Sequence, residues 1–329
     1  MKKITAMILL LAMVLALAAC SGGTNADDKN TDSSEDTYTI GVLYLDQEVL
    51  LSEATAGCKA YAAEHSNVKL IEYNANKDVS TQLKQCENLI SQNVDAIALT
   101  PVDGAGCDQI INACKDAGIP LICFHAKVKG APITNILFDN VGFGKMQVDY
   151  AMEIFEKSGG DMNGTINVGI VTGKLDNQNA VERCQGYEEQ LKNYANATIV
   201  DEQVGSWNRD DAMAIAENWI TSGRDIDIIL SNNDAMAIGI SLAYANANVE
   251  RPIIIGVGGT EEGLTAILNG DFDGTVFQPA YQNGYDAIDF TVKYLNGETL
   301  EESYVTEGVL VTPETAQATL DDLNAMLNS

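Results

Sequence analysis

Ile226-Asp227-Ile228-Ile229-Leu230-Ser231-Asn232-Asn233-Asp234-Ala235-Met236-Ala237-Ile238-Gly239 contains an apolar run, a polar break and the start of a helical pattern. The run predicts a strand over 226–231, and the residues from Ala235 to 245 predict a helix. The strand shows no polar alternation, which is the pattern of a strand buried on both faces of a parallel sheet. In open sheets of this kind ligands bind just beyond the carboxyl ends of the strands, so Asn232, Asn233 and Asp234 mark a candidate site.

The same rhythm extends in both directions. Strands are predicted over 38–45, 68–73, 96–100, 120–124 and 133–138, and again over 166–172, 198–204, 226–231, 253–257 and 275–277. Helical stretches lie between them, at 52–64, 80–91, 104–117, 144–156, 181–194, 210–221 and 235–245 among others. Two sets of about five strands predict an α/β chain of two doubly wound parallel-sheet lobes. No Pro- or Ser-rich linker separates them, so the chain is expected to cross directly near Asp139-Asn140, near Gln278-Pro279 and over 298–302, a three-segment hinge. The expected lobes are 38–139 with 279–300, and 140–278 with 301–329.

The N-terminal 19 residues carry Lys2, Lys3 and an uncharged apolar run from Ile8 to Ala19, which reads as an export signal. Leu17-Ala18-Ala19-Cys20 resembles the lipobox of bacterial lipoproteins, so Cys20 is the expected lipid attachment site and the membrane anchor. Residues 20–37, rich in Ser, Gly, Asn and Asp, are expected to form a flexible stalk. These features place the body on the outer face of the cytoplasmic membrane or in the periplasm.

The formal net charge is −28 and becomes −30 once Lys2 and Lys3 leave with the signal, which argues against a nucleic-acid partner. The six cysteines beyond Cys20 form no C-x-x-C pair and fall mostly in apolar stretches, where they read as small buried hydrophobes. The two histidines, His65 and His125, show no metal-ligand spacing, so no metal or cofactor is expected. The glycine-rich pieces at 142–145 and 256–260 match neither a phosphate loop nor a dinucleotide fingerprint. With no nucleophile elbow and no pair of carboxylates placed across a cleft, the chain does not read as an enzyme.

What recurs is a polar residue after nearly every strand: Asp46-Gln47-Glu48, Thr100, His125, Asn177 and Asn179, Trp207, Asn232-Asn233-Asp234 and Gln278. Such a ring suits a sugar, whose hydroxyls need donors and acceptors together and whose C–H faces stack on an aromatic ring.

Ala117-Gly118-Ile119-Pro120-Leu121-Ile122, Asp139-Asn140-Val141-Gly142, Glu182-Arg183-Cys184-Gln185-Gly186-Tyr187, Trp207-Asn208-Arg209, Asn233-Asp234-Ala235-Met236-Ala237-Ile238-Gly239 and Gly256-Val257-Gly258-Gly259-Thr260 together resemble the ribose/galactose-type, type I periplasmic sugar-binding proteins. The likeness covers nearly all of 38–327. It implies a monomer whose two lobes close on a small-molecule ligand, with an ABC permease and ATPase as partners. It also implies that Arg183 donates its planar fork to sugar oxygens, that Asn233 both donates and accepts, that Trp207 stacks on the ring, and that Gln278 contributes from the hinge side. Asn177 and Asn179 match more weakly. Each has a plainer reading as well: a surface arginine, a helix cap, a core aromatic and a solvated strand end.

The departures are specific. Gln47-Glu48-Val49-Leu50-Leu51 stands where the family offers Asn-Pro and two aromatics, His125-Ala126 where it offers Asp-Arg, and Gly258 where it offers an aspartate. His125 can stack or donate a hydrogen bond, and Glu48 can replace a lost carboxylate or meet a cationic ligand. These losses point away from ribose itself, towards a deoxy sugar, a polyol, a furanosyl signal molecule or a nucleoside. A lipoprotein sensor feeding a membrane kinase or chemoreceptor is the rival role.

Overall fold

In the computed structural model, which describes residues 37–104, 107–128, 130 and 132–328, the first strand is β1 (Tyr38–Tyr44). Its successive side chains point to opposite faces of the sheet, and both faces are covered. Ile40, Val42 and Tyr44 pack with Ala54, Cys58 and Ile288, whereas Leu43 packs with Cys86, Leu89 and Ile110. Two-sided burial is the reason the strand reads as one apolar run. Cys20 and the expected leader and stalk, apart from Thr37, lie outside the described residues.

The chain continues through α1 (Val49–Glu64), β2 (Val68–Asn74), α2 (Val79–Ser91), β3 (Ala96–Leu99), α3 (Asp108–Ala117), β4 (Leu121–Phe124) and β5 (Thr134–Phe138). It then forms α4 (Asn140–Lys157), β6 (Ile166–Thr172), α5 (Gln178–Leu191), β7 (Ala197–Val204), α6 (Arg209–Thr221), β8 (Ile228–Ser231), α7 (Asp234–Ala247), β9 (Ile253–Gly258), α8 (Glu261–Asn269) and β10 (Gly274–Phe277). The last elements are α9 (Ala280–Leu295), β11 (Ser303–Thr306), β12 (Val309–Val311) and α10 (Ala316–Leu327).

Two six-stranded sheets result, ordered β11-β5-β4-β3-β1-β2 and β12-β10-β9-β8-β6-β7. All pairings are parallel except that of β12 with β10. In each sheet the order reverses at the first strand of the set, between β1 and β3 and between β6 and β8. The loops leaving these strands diverge and open a crevice, the usual ligand position of a doubly wound sheet. The edge strands depart from two-sided burial: β2 is mostly half-exposed and β7 mostly exposed.

The chain passes from the first sheet to the second after β5, returns after β10 to place α9 against α1, and crosses once more between β11 and β12. The third crossing therefore lies at Glu307-Gly308 and not over 298–302 as expected, and Ser303–Thr306 belongs to the first lobe. Ser303 and Val305 are exposed, so this edge strand is held by its main-chain ladder to β5 and carries no apolar run to announce it. At the crossings Phe138, Phe143, Val257 and Val276 form a small core shared by both lobes. The six described cysteines are free thiols, five of them buried and Cys184 half-buried.

Helices α1 and α9 touch backbone to backbone. A Cβ at Gly57 would overlap the Tyr281 carbonyl, and one at Gly284 would overlap the Ala54 carbonyl. We expect Gly57→Ala to destabilise the fold by ~1–3 kcal/mol through overpacking. The measurement is the urea midpoint, which should fall with an unchanged slope.

Candidate functional site

Arg183 lies on the first turns of α5, with 3 % of its surface exposed. Its guanidinium donates from Nε to Asn140 Oδ1 at 3.0 Å, from Nη1 to the Asn232 carbonyl at 2.5 Å and from Nη2 to Gln278 Oε1 at 2.6 Å. The three acceptors come from the first crossing, the end of β8 and the second crossing. Burial lowers the Arg183 pKa to about 10, which leaves it charged at neutral pH. Its carbon Cζ stands 5.6 Å from the Trp207 ring centroid and 5.7 Å from that of Phe143, within cation–π range.

Trp207 is held close by two features. Its backbone, like that of Ser206, has a positive φ (66° and 54°), and the neighbouring Gly173 has no Cβ to collide with the indole. The loop after β2 has the same shape, with positive φ at Asn76 and Lys77. Lys77 is thus the first-lobe counterpart of Trp207 within the repeated strand–loop–helix unit. It pairs with Asp46 at 3.3 Å and also with Glu48.

Glu48 stands outside the buried set. Its side chain is 64 % exposed and committed to Lys77. The more deeply buried carboxyl of the first lobe is Glu53, in the second turn of α1 and 3 % exposed, a residue that sequence reasoning passed over. Its signal was legible, because Glu53, Gly57 and Tyr61 recur at helical spacing on the buried face. Glu53 Oε2 has no hydrogen-bond partner among the described residues. Burial, and then the Asp234 carboxylate, raise the Glu53 pKa to about 8.

His125 follows β4 with φ 69°, a left-handed conformation that is strained for a non-glycine residue and typical of functional sites. Its ring meets Phe138 edge-on at 5.4 Å between centroids, and its buried Nδ1 is unpaired among the described residues. Burial, with the Arg183 charge second, lowers its pKa to about 4, so the imidazole is neutral. The His125 carbonyl accepts from Asn179 Nδ2 at 3.3 Å, a hydrogen bond from the second lobe to the first. Asn179 Oδ1 accepts in turn from Asn140 Nδ2 at 3.2 Å. Gln278, 1 % exposed, uses Oε1 for Arg183, while its Nε2 is buried and unpaired among the described residues.

Asn233 and Asn177 both cap helices. Asn233 caps α7, accepting from the Met236 amide at 2.9 Å, and ties the Trp207 carbonyl at 3.2 Å. Asn177 caps α5 through the Asn179 amide at 2.9 Å. Asn232, fully buried, accepts from the Gly173 amide and donates to the Tyr187 hydroxyl, so it sets the floor on which Arg183 rests. Thr100 closes the first-lobe turn by accepting from the Leu45 amide. Asp234 accepts from the Gly259 and Thr260 amides and from Thr275 Oγ1. A Cβ at Gly258 would come within 2.9 Å of Asp234 Oδ2, so this carboxylate fills the room beside residue 258.

A sequence profile described as a periplasmic binding protein domain matches residues 42–299. A xylitol-binding protein of Mycolicibacterium smegmatis is 30% identical over 312 residues, 94% of this chain and 84% of the relative. The galactofuranose-binding protein of Escherichia coli is 25% identical over 86% of this chain and 90% of its own length. Among solved structures, an ABC transporter solute-binding protein from Bacillus halodurans with bound myo-inositol superposes with a TM-score of 0.78 at 29% identity, covering 87% of this chain and 98% of that one. The fold, the cleft between two switch points and the profile match agree: this chain belongs to the periplasmic binding protein family, in its two-lobed type I form.

Proposed function

We propose that the protein is an extracytoplasmic solute-binding lipoprotein, anchored through Cys20, that captures a monosaccharide or polyol between its lobes and delivers it to an ABC permease. The observation that carries this reading is a set of buried, unpaired polar atoms, Glu53 Oε2 and His125 Nδ1 from the first lobe and Gln278 Nε2 from the second crossing. A buried polar group without a partner costs roughly 1–3 kcal/mol, and a polyhydroxylated ligand supplies donors and acceptors to such groups at once. The same ligand presents C–H faces to Trp207 and His125. Relatives named for xylitol and galactofuranose, and a structural neighbour holding myo-inositol, support a polyhydroxylated ligand.

The chain's own residues suggest how capture works. Ligand that touches groups from both lobes favours the state in which the lobes meet, because that state alone satisfies both sides. The hinge core at Phe138 and Phe143 and the Asn179–His125 hydrogen bond link the two lobes in that state. Arg183, with three of its five N–H groups committed to acceptors, holds Gln278 and Asn140 in place and leaves its two remaining N–H groups and its stacked face for the ligand.

A thermal-shift screen of the full chain against pentoses, hexoses, polyols and nucleosides tests the reading, since a ligand that binds only the folded state raises the melting temperature. We expect a shift with a monosaccharide or polyol. Arg183→Ala should weaken binding by roughly 2–5 kcal/mol, and Gly173→Ala should mimic Trp207→Ala by displacing the indole. Undiminished binding in Arg183→Ala, or a response to nucleosides alone, would refute it.

Glu53 and His125 give opposite pH dependences. With its pKa raised from 4.5 to about 8, Glu53 holds in the folded protein a proton that the unfolded chain has released, so its contribution to stability is lost as pH rises through that window. His125, lowered from 6.5 to about 4, contributes stability that is present above pH 6.5 and lost as pH falls towards 4. Of these two groups only Glu53 changes protonation between pH 6.5 and 8. Melting temperatures measured across that window should decline in the unmodified protein and stay flatter in Glu53→Gln.

A further inference from the structure

Helices α4 and α5 meet backbone to backbone: a Cβ at Gly144 would overlap the Arg183 carbonyl, and one at Gly186 the Val141 carbonyl. The close approach brings their buried polar side chains together in rungs. Asn179, Arg183 and Tyr187 recur every four residues on one face of α5, and Asn140 and Gln147 stand seven apart on α4. Asn140 meets Asn179 and Arg183 at the hinge end. At the inner end Gln147 meets Tyr187, both fully buried, and among the described residues this rung hydrogen-bonds to the cleft residues only through Asn232.

The bonds along this path run in one direction. Gln147 Nε2 donates to the Ser231 carbonyl of β8 and the Ile255 carbonyl of β9, each at 2.9 Å. Both amide hydrogens are used, so Oε1 accepts, and the Tyr187 hydroxyl donates to it at 2.7 Å. That hydroxyl has then spent its one hydrogen and offers only lone pairs, to which Asn232 Nδ2 donates at 3.1 Å. Asn232 Oδ1 is thereby turned to the Gly173 amide at 2.9 Å. Gly173 lies against the Trp207 indole, and the Asn232 main-chain carbonyl takes Arg183 Nη1 at 2.5 Å. We propose that Gln147 and Tyr187 are positioning residues of the cleft: they fix which way the Asn232 side-chain amide faces, and through it the seats of Arg183 and Trp207. This rests on the reading of the cleft as a ligand site. Without the Tyr187 hydroxyl, Asn232 Nδ2 keeps only the Cys184 sulfur at 3.9 Å, the amide is free to turn over, and the Gly173 amide loses its acceptor.

The test takes two readings on the full chain. One is calorimetric titration with xylitol and with myo-inositol. The other is the emission of Trp207 and its quenching by acrylamide in a Trp219→Phe background, where Trp207 is the single tryptophan. We expect Tyr187→Phe to weaken binding of whichever probe the unmodified protein takes by ~10-fold or more, and to shift the Trp207 emission and make the indole easier to quench. Gln147→Met leaves the Tyr187 hydroxyl free to donate to Asn232 instead, so it carries the same expectation and stands in should Tyr187→Phe not fold. Leu191→Ala, which opens the apolar core at the far end of α5, is the reference: it should lower the urea midpoint and leave both readings as they are. Unchanged affinity in a folded relay variant, unchanged Trp207 emission and quenching, or the same changes in Leu191→Ala would each overturn the proposal and leave the polyol reading standing. If the unmodified protein binds neither xylitol nor myo-inositol, the polyol reading loses its support and the Trp207 reading alone decides the proposal.

Discussion

A guanidinium removed from water has to find acceptors for its donors, and Arg183 finds them on three separate segments. Asn140 lies at the first crossing, Asn232 at the end of β8, and Gln278 at the second crossing. Leaving any of these groups unpaired at such depth is costly, so the position of Arg183 dictates how the hinge strands and the β8 tip stand relative to α5. The rest of the cleft follows from it. Asn140 passes the constraint to Asn179, which reaches the His125 carbonyl in the other lobe, and Asn232 passes it to Gly173, against which Trp207 packs. A single buried charge thus organises both the recognition surface and the contact between lobes.

The two lobes solve one geometric problem twice and finish it differently. Each has the same strand order and the same left-handed loop after its second strand. In the second lobe that loop presents Trp207, and in the first it presents Lys77, clamped by Asp46 and Glu48. The aromatic side of the site is therefore one-sided. The first lobe contributes His125, held neutral by burial, and Glu53, whose buried Oε2 is unpaired among the described residues. A ligand gripped this way is stacked from one face and held by polar groups on the other. The usual aromatic sandwich of the resembled family has no counterpart at Val49-Leu50-Leu51.

Much of the fold was legible because its cause is local. A strand covered on both faces must be apolar throughout, so β1, β3, β4, β6, β8 and β9 could be read as short runs. Two strands escaped, β11 and β12, both edge elements: Ser303 and Val305 of β11 face solvent and its membership in the first sheet depends on main-chain pairing with β5, while β12 is held by its antiparallel pairing with β10. The site was legible as a set of strand-end residues, and Arg183, Asn179, His125, Trp207 and Gln278 are brought together. It was not legible as roles. Asn233 and Asn177 spend their side chains on helix caps, and Glu48 spends its charge on Lys77.

Glu53 shows where the division falls. Its place on the buried face of α1 follows from the helical period alone, as do the two-sided burial of the central strands and the polar residues at their ends. That its Oε2 is left without a partner does not follow from the period, because it depends on which groups the rest of the fold brings near. Sequence by itself determined the layers, the lobes and the residue types offered at each strand end, since those depend on local patterning and two-sided burial. The tertiary structure alone decided which of those residues are paired, which are left with unpaired buried atoms and which charges confront each other, because those depend on distances between segments remote in the chain.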